Sequence, residues 1–185
     1  MIITISGLPG AGKSLLAKRL AESLGWPLYS MGNLRRQAAA DQGLTLAAYN
    51  QLGETDPATD LAVDRLQENL GKTQDNLVVE GRTSWHFIPH SIKIFLSVEP
   101  RIGAERIWQH LGQPDNRRNE DHGLTGIDDV LASNAARLRS DRRRYAKYFQ
   151  LDVYDQSHYD LVLDTSQLTP DQVLAAVREF IAKRA

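Results

Sequence analysis

The sequence predicts an α/β fold, a three-layer α/β/α sandwich on about five parallel strands. Three observations predict it. Compact apolar runs recur at Ile2 to Ser6, Leu77 to Val79, Ile92 to Val98 and Leu161 to Leu163, each the length of a strand buried on both faces. Segments with helical apolar spacing separate them, and right-handed crossovers between parallel strands place such helices on both faces of a sheet. The length, 185 residues, suits one domain with a substantial core.

Taken in order, Ile2 to Ser6 is a β-rich run closed by Gly7. Leu16, Leu20 and Leu24 then carry a helix from Ser14 until Gly25 stops it. Leu28 to Ser30 reads as a short second strand, and a helix follows from about Asn33 to Asp41, broken by Gly43. Asp56-Pro57 predicts an N-cap with proline at the first helical position, and Leu61, Ala62, Leu66 and Leu70 predict the apolar face of that helix up to Gly71. Arg101 to His110 reads as a helix. Gly112 to Gly126 lacks periodicity and is expected to be a mobile loop. Leu131, Ala135, Leu138, Tyr145 and Phe149 stripe a longer helix, with Arg142 on the same stripe and snorkelling outward. Thr169-Pro170-Asp171-Gln172 is a capping box for a C-terminal helix after the last strand.

Composition narrows the function. A formal net charge of -1 argues against broad attraction to duplex nucleic acid or an anionic membrane. There are no cysteines, which removes disulfides, thiolate metal sites and thiol catalysis and fits a reducing compartment. With no leader-like start and no apolar run long enough to cross a bilayer, the expectation is a cytoplasmic monomer. The five histidines show no ligand spacing, and Trp85 and Trp108 are expected in the core or as groove walls.

Gly7-Leu8-Pro9-Gly10-Ala11-Gly12-Lys13-Ser14 satisfies G-x-x-x-x-G-K-[ST] between the first strand and the first helix, the context a phosphate-binding P-loop requires. Its glycines let successive N–H groups point at phosphate oxygens, and the helix adds its positive end. Lys13 is expected to reach the β- and γ-phosphates of ATP, and Ser14 to ligate Mg²⁺. The nucleotide site runs from Gly7 through Leu15. A D-x-x-G switch, an N-K-x-D signature and an apolar strand ending in Asp-Glu are all missing, so a kinase survives where a GTPase or motor ATPase does not.

An enzyme that joins two anionic substrates must neutralise several charges, and the planar guanidinium fork suits phosphate oxygens. Arg137 and Arg144 lie seven apart on one helix face. They are expected to close as a lid over the transferring phosphate, whereas Arg139 and Arg143 read as a solvated face. Arg36 and Arg82 stand just beyond predicted strands, at the ligand crevice of an open sheet. Glu80 has two natural roles, near a metal or paired with an arginine, and Asp60 and Asp64 are unassigned.

With these residues in hand, the chain resembles the cytidylate kinases, in particular the compact archaeal-type branch of the nucleoside monophosphate kinases of P-loop NTPase fold. The opening through Ser14 is similar to that branch's start. Ser30-Met31-Gly32-Asn33-Leu34-Arg35-Arg36 resembles its S-x-G-x-x-x-R segment, and Glu80-Gly81-Arg82 its E-G-R stretch. Ala104-Glu105-Arg106-Ile107 resembles the entry to its lid. Arg137, Ser140 and Arg144-Tyr145 match R-x-x-S-x-x-x-R-Y, and Asp160 to Ser166 is similar to the last strand and its turn. Three features depart from the pattern: Gly103 and Arg35, where an arginine and an aromatic are usual, and the loop from Gln113 to Gly126.

The resemblance implies ATP-dependent phosphoryl transfer to a pyrimidine nucleoside monophosphate, CMP or dCMP. It places the acceptor on Ser30, Gly32, Arg36, Gly81 and Arg82 within a region of about 30–70, and a lid over about 106–145 with Arg106, Arg137 and Arg144. Lys13, Arg137 and Arg144 are then the catalytic residues. The alternatives are a P-loop kinase of another small metabolite, of shikimate or gluconate type, and an ATP-binding regulator without activity.

Overall fold

The structure is a computed structural model that describes residues 1–113 and 123–184. Five parallel strands form one sheet: β1 (Ile2–Gly7), β2 (Leu28–Ser30), β3 (Leu77–Glu80), β4 (Ile92–Ser97) and β5 (Leu161–Asp164), in the order β2-β3-β1-β4-β5. The α/β prediction and its strand count therefore hold. Period-two alternation explains why both faces are apolar. Ile3, Ile5, Val78, Ile94 and Leu96 enter one core, with α1 (Lys13–Leu24) and α8 (Pro170–Ala182). Ile2, Leu77 and Val79 enter a second core on the opposite face, and Phe95 a third.

The remaining helices are α2 (Met31–Asp41), α3 (Leu46–Gly53), α4 (Ala58–Thr73), α5 (Ser84–Phe87), α6 (Pro100–Leu111) and α7 (Ile127–Phe149). Two of them, α3 and α5, were not legible in the sequence, being too short to establish a period. Thr45 caps α3 by accepting from the Ala48 N–H at 3.1 Å, a signal that could have found it. The predicted capping box of α8 is present, with Thr169 and Gln172 bonded reciprocally.

Helix α4 departs from its prediction in three ways. Pro57 is the N-cap rather than the first helical residue, and the Asp56 carboxylate accepts from Ala58 N–H at 2.9 Å. Gly71 does not end the helix. A Cβ there would lie 3.1 Å from Ile88 Cγ2, so the glycine serves close packing on the segment after α5. Most consequential, Leu61 and Ala62 are exposed while Thr59, Asp60, Gln67 and Leu70 are buried. The buried face is partly polar, which an apolar-periodicity argument cannot see.

The chain leaves β1 for the edge strand β2 and then returns through β3 and past β1 to β4 and β5, so the direction of connection reverses beside β1. Ligand crevices in open α/β sheets form at the carboxyl ends of strands at such a switch. The predicted P-loop lies at that position. The loop expected to be mobile falls largely on residues 114–122, which lie outside the described residues. Among the described residues no helix is long and apolar enough to cross a membrane.

Candidate active site

The P-loop leaves β1 at Gly7 and turns into α1 at Lys13, with Gly12 as a left-handed N-cap at φ 86°. At Gly10, φ is 78° and a Cβ would stand 2.2 Å from the Gly103 carbonyl oxygen. A Cβ on Gly103 would in turn stand 2.7 Å from the Pro9 oxygen. The first turns of α6 therefore rest directly on the loop backbone, which is the physical reason for glycine at 103. We expect Gly103→Ala to displace the loop and weaken ATP binding by about 1–3 kcal/mol, read by calorimetric titration; unchanged affinity would show that the loop tolerates the displacement.

Lys13 Nζ donates to the Leu8 carbonyl at 2.7 Å, so the ammonium is held in the concavity of the loop. Leu8 itself packs into the core, and Ala11 is buried with its carbonyl accepting from Thr165 Oγ1 at 3.2 Å. Ser14 Oγ donates to Glu80 Oε1 at 3.1 Å, and Ser30 Oγ to Glu80 Oε2 at 2.6 Å. Glu80 thus bridges the P-loop serine to the first residue of the expected acceptor segment. A hydroxyl beside a carboxylate is a hard-oxygen donor set suited to Mg²⁺, which takes few protein ligands and keeps substrate phosphates and water.

One cleft opens at this end of the sheet. Lys13 and Ser14 line it from the loop, Gly32 and Arg36 from α2, Gly81 and Arg82 from the turn after β3, and Arg137 from α7. Ser30 also accepts from Asn33 N–H at 3.4 Å as the N-cap of α2. Gly81 admits no side chain: a Cβ would lie 2.3 Å from Ser84 Oγ and 2.9 Å from Met31 Cγ. The predicted Arg36, Arg82 and Arg137, distant in sequence, do meet on one cleft.

Arg144 does not join them as expected. Its side chain is 1% exposed, and it pairs with Asp141 at 2.9 Å and Asp60 at 3.3 Å. The face it shares with Arg137 turns into the body of the protein. Asp141 is also fully buried and takes Arg82 Nε at 2.6 Å and Tyr154 Oη at 2.7 Å. Arg35, where an aromatic was usual, is buried too, bonded to Asn50 Oδ1 at 2.7 Å and paired with Asp60. Burial pushes the Asp141 pKa up, but Arg82 and Arg144 outweigh it and hold the carboxyl below its ordinary value. Burial likewise works to lower the Arg82 pKa, and Asp141 raises it above the usual guanidinium value. Asp141, Asp60, Asn50 and Tyr154 are residues that motif reading missed. Asp141 carried a signal, as the only acid in the basic run from Arg137 to Lys147.

The profile of the Cytidylate kinase-like family matches residues 2–167. The chain belongs to this family. The cytidylate kinase of Methanocella arvoryzae is 40% identical over 167 residues, covering 90% of this chain and 89% of that protein. That of Pyrococcus furiosus is 35% identical over 182 residues, covering 98% and 88%. Among solved structures, shikimate kinase from Bacteroides thetaiotaomicron aligns with a TM-score of 0.63 at 14% identity over 98% of each chain, a likeness of fold alone. The predicted family and kinase class are thus borne out.

In this cytidylate kinase-like chain Arg106 lies outside the main cleft. Its Nη2 donates to the Thr165 carbonyl at 2.8 Å and its Nη1 to Thr165 Oγ1 at 3.2 Å. It lines a second groove, across the P-loop from the first, with Gly12, Leu15, Leu168 and Pro170. The expected lid arginine is therefore tied to the turn after β5. Leu15, predicted at the end of the nucleotide site, lies in this groove and is exposed. Among the described residues no group of three metal-ligating side chains occurs.

Proposed function

We propose that the chain transfers the γ-phosphoryl group of ATP to CMP or dCMP, giving ADP and the corresponding diphosphate. The observation that carries this reading is the meeting of Lys13, Arg36, Arg82 and Arg137 on one cleft at the P-loop, in a chain of the cytidylate kinase-like family. Family membership favours a nucleotide acceptor over a hydroxyl metabolite. The ATP triphosphate lies in the P-loop, its adenine in the groove between the Arg106 guanidinium and the apolar edge of Leu15 and Leu168. The monophosphate is held by residues in the region 30–70, chiefly Arg36 and the Ser30 to Gly32 segment, and by Gly81 and Arg82. The region 106–145 closes over both and supplies Arg137.

Phosphoryl transfer in such a site needs positioning and charge neutralisation rather than a covalent intermediate. Lys13 neutralises the β- and γ-phosphates, and Arg137 the equatorial oxygens of the moving group. Arg82, fixed by Asp141, orients the attacking phosphate without searching for its rotamer. Ser14 and Glu80 would hold Mg²⁺, which supplies further charge neutralisation between the phosphates when bound. Arg144 acts by anchoring Asp141 and Asp60, behind the cleft. We place the enzyme in the cytoplasm as a monomer that needs neither nucleic acid nor a membrane.

The test is ADP release with CMP, dCMP, UMP, AMP and shikimate, with activity expected on the pyrimidine monophosphates. Tight ATP binding with no ADP from any acceptor would favour a regulator instead. Arg36→Ala should raise the KM for CMP by about 10- to 100-fold, the worth of a charge-assisted bond, with a smaller change in the KM for ATP. Equal effects on both KM values would remove Arg36 from the acceptor site.

A further inference from the structure

Asp141 and Tyr154 act on Arg82 in different ways. The Asp141 carboxylate lies 2.6 Å from Arg82 Nε and supplies the opposite charge. Among the described residues, however, the guanidinium makes one hydrogen bond, from Nε to Tyr154 Oη at 2.8 Å. Its direction is therefore set by the phenol. Among the same residues neither terminal nitrogen of Arg82 forms a hydrogen bond, so both remain for a ligand in the cleft that the side chain lines.

The Tyr154 hydroxyl has no freedom of its own. It donates its single proton to Asp141 Oδ2 at 2.7 Å, because an ionised carboxylate only accepts. What it presents to Arg82 is then a lone pair. Burial raises the phenol pKa above its ordinary value, so the proton stays in place. The ring is equally fixed. Gln150 ends α7 in the left-handed conformation at φ 57° and turns the chain back. Asp152 Oδ1 accepts from Tyr154 N–H at 2.9 Å, and Tyr154 is buried in the core of Phe95, Tyr145 and Val153, with the Arg142 guanidinium 5.4 Å from the centre of its ring.

We propose that Tyr154 is a positioning residue for the acceptor: its hydroxyl holds Arg82 by Nε, so that both terminal nitrogens face the acceptor's phosphate before it arrives. This rests on the reading that Arg82 binds that phosphate. A guanidinium held by charge alone turns about its carboxylate, and binding then carries the entropic cost of stopping it. A hydrogen bond from Nε removes this freedom, because the guanidinium is planar and Nε–H fixes the directions of the terminal N–H groups. Tyr154 itself touches no substrate. It reaches Arg82 from the segment after α7, and so ties the phosphate site to the helix that carries Arg137.

Tyr154→Phe keeps the ring and removes the hydroxyl. The KM for CMP should rise about tenfold, the worth of a hydrogen bond to a charged group, with the KM for ATP unchanged, both read by ADP release alongside a thermal melt. A double-mutant cycle with Arg82→Ala separates positioning from support: with Arg82 absent, Tyr154→Phe should raise the KM for CMP no further. An unchanged KM for CMP in folded Tyr154→Phe, or an equal rise with and without Arg82, overturns the inference and leaves the kinase reading intact. An Arg82→Ala variant whose KM for CMP matches wild type removes Arg82 from the phosphate and the inference with it. A wild type inactive on every monophosphate overturns both. Should Tyr154→Phe fail to fold, NMR of the arginine Nε–H groups in the wild type decides. An Arg82 Nε–H in contact with Tyr154 and protected from water exchange before CMP is added supports the role of Tyr154. One that exchanges as freely as those of the exposed Arg139 and Arg142 until CMP binds sinks it.

Discussion

Lys13→Ala is expected to lower kcat by at least about 10²–10³-fold, the loss seen when one preorganised charge is removed from a developing transition state. The ammonium sits in the loop concavity, 2.7 Å from the Leu8 carbonyl, where a triphosphate's terminal groups would replace that carbonyl as its partner. Nothing else in the loop carries a full positive charge, since the remaining donors are backbone N–H groups. Lys13 is only half-buried, so the fold should survive its loss. The measurement is steady-state ADP release with CMP, alongside a thermal melt. Wild-type turnover in a folded variant would remove the P-loop from the chemistry, and with it the kinase reading.

Asp141→Asn should have the largest effect on stability. It leaves Arg82 and Arg144 close together without their shared counter-charge, and breaking a buried ion pair from one side costs about 3–5 kcal/mol. For a domain of this size that lowers Tm on the order of 10 °C. The sign of the pH dependence follows from the depressed pKa of Asp141. Its stabilisation is fully present above the unfolded aspartate value of about 3.9 and is lost as pH falls through the lower folded value. The wild type should therefore lose this contribution only at strongly acid pH, while the variant lacks it throughout. A melt at neutral pH within about 2 °C of wild type would show that Tyr154 for Arg82, and Asp60 with Asn50 for Arg144, suffice to hold the two arginines. Because Arg82 would lose its anchor, the KM for CMP should rise in the same variant.

How much was legible depended on whether a signal was local. The P-loop was, because a strand, a glycine turn and a Lys-Ser pair are contiguous and the turn's geometry follows from their order. The strands were equally plain, being unbroken apolar runs. The face of α4 was misjudged because Leu61 and Ala62 look like core residues and Asp60 and Gln67 do not; partners on other segments made their burial favourable. Arg144 was misplaced for the same reason. Its sequence neighbours suggest a cationic surface, and only the approach of Asp60 from α4 makes it an interior residue.

The sequence by itself determined the strands and the phosphate loop, and it named the arginines from which a cleft could be lined. Those features rest on periodicity and on contiguous backbone geometry, which are properties of a segment. Only the tertiary structure decided which arginine lines the cleft and which one is buried behind it. Arg137 lines the cleft and Arg144 is sealed behind it because Asp60 from α4 meets Arg144 while Tyr154, from the segment after α7, meets the Asp141 that pairs with it. A charge is tolerated in the interior only where opposite charges meet it, and no single stretch of chain records that meeting.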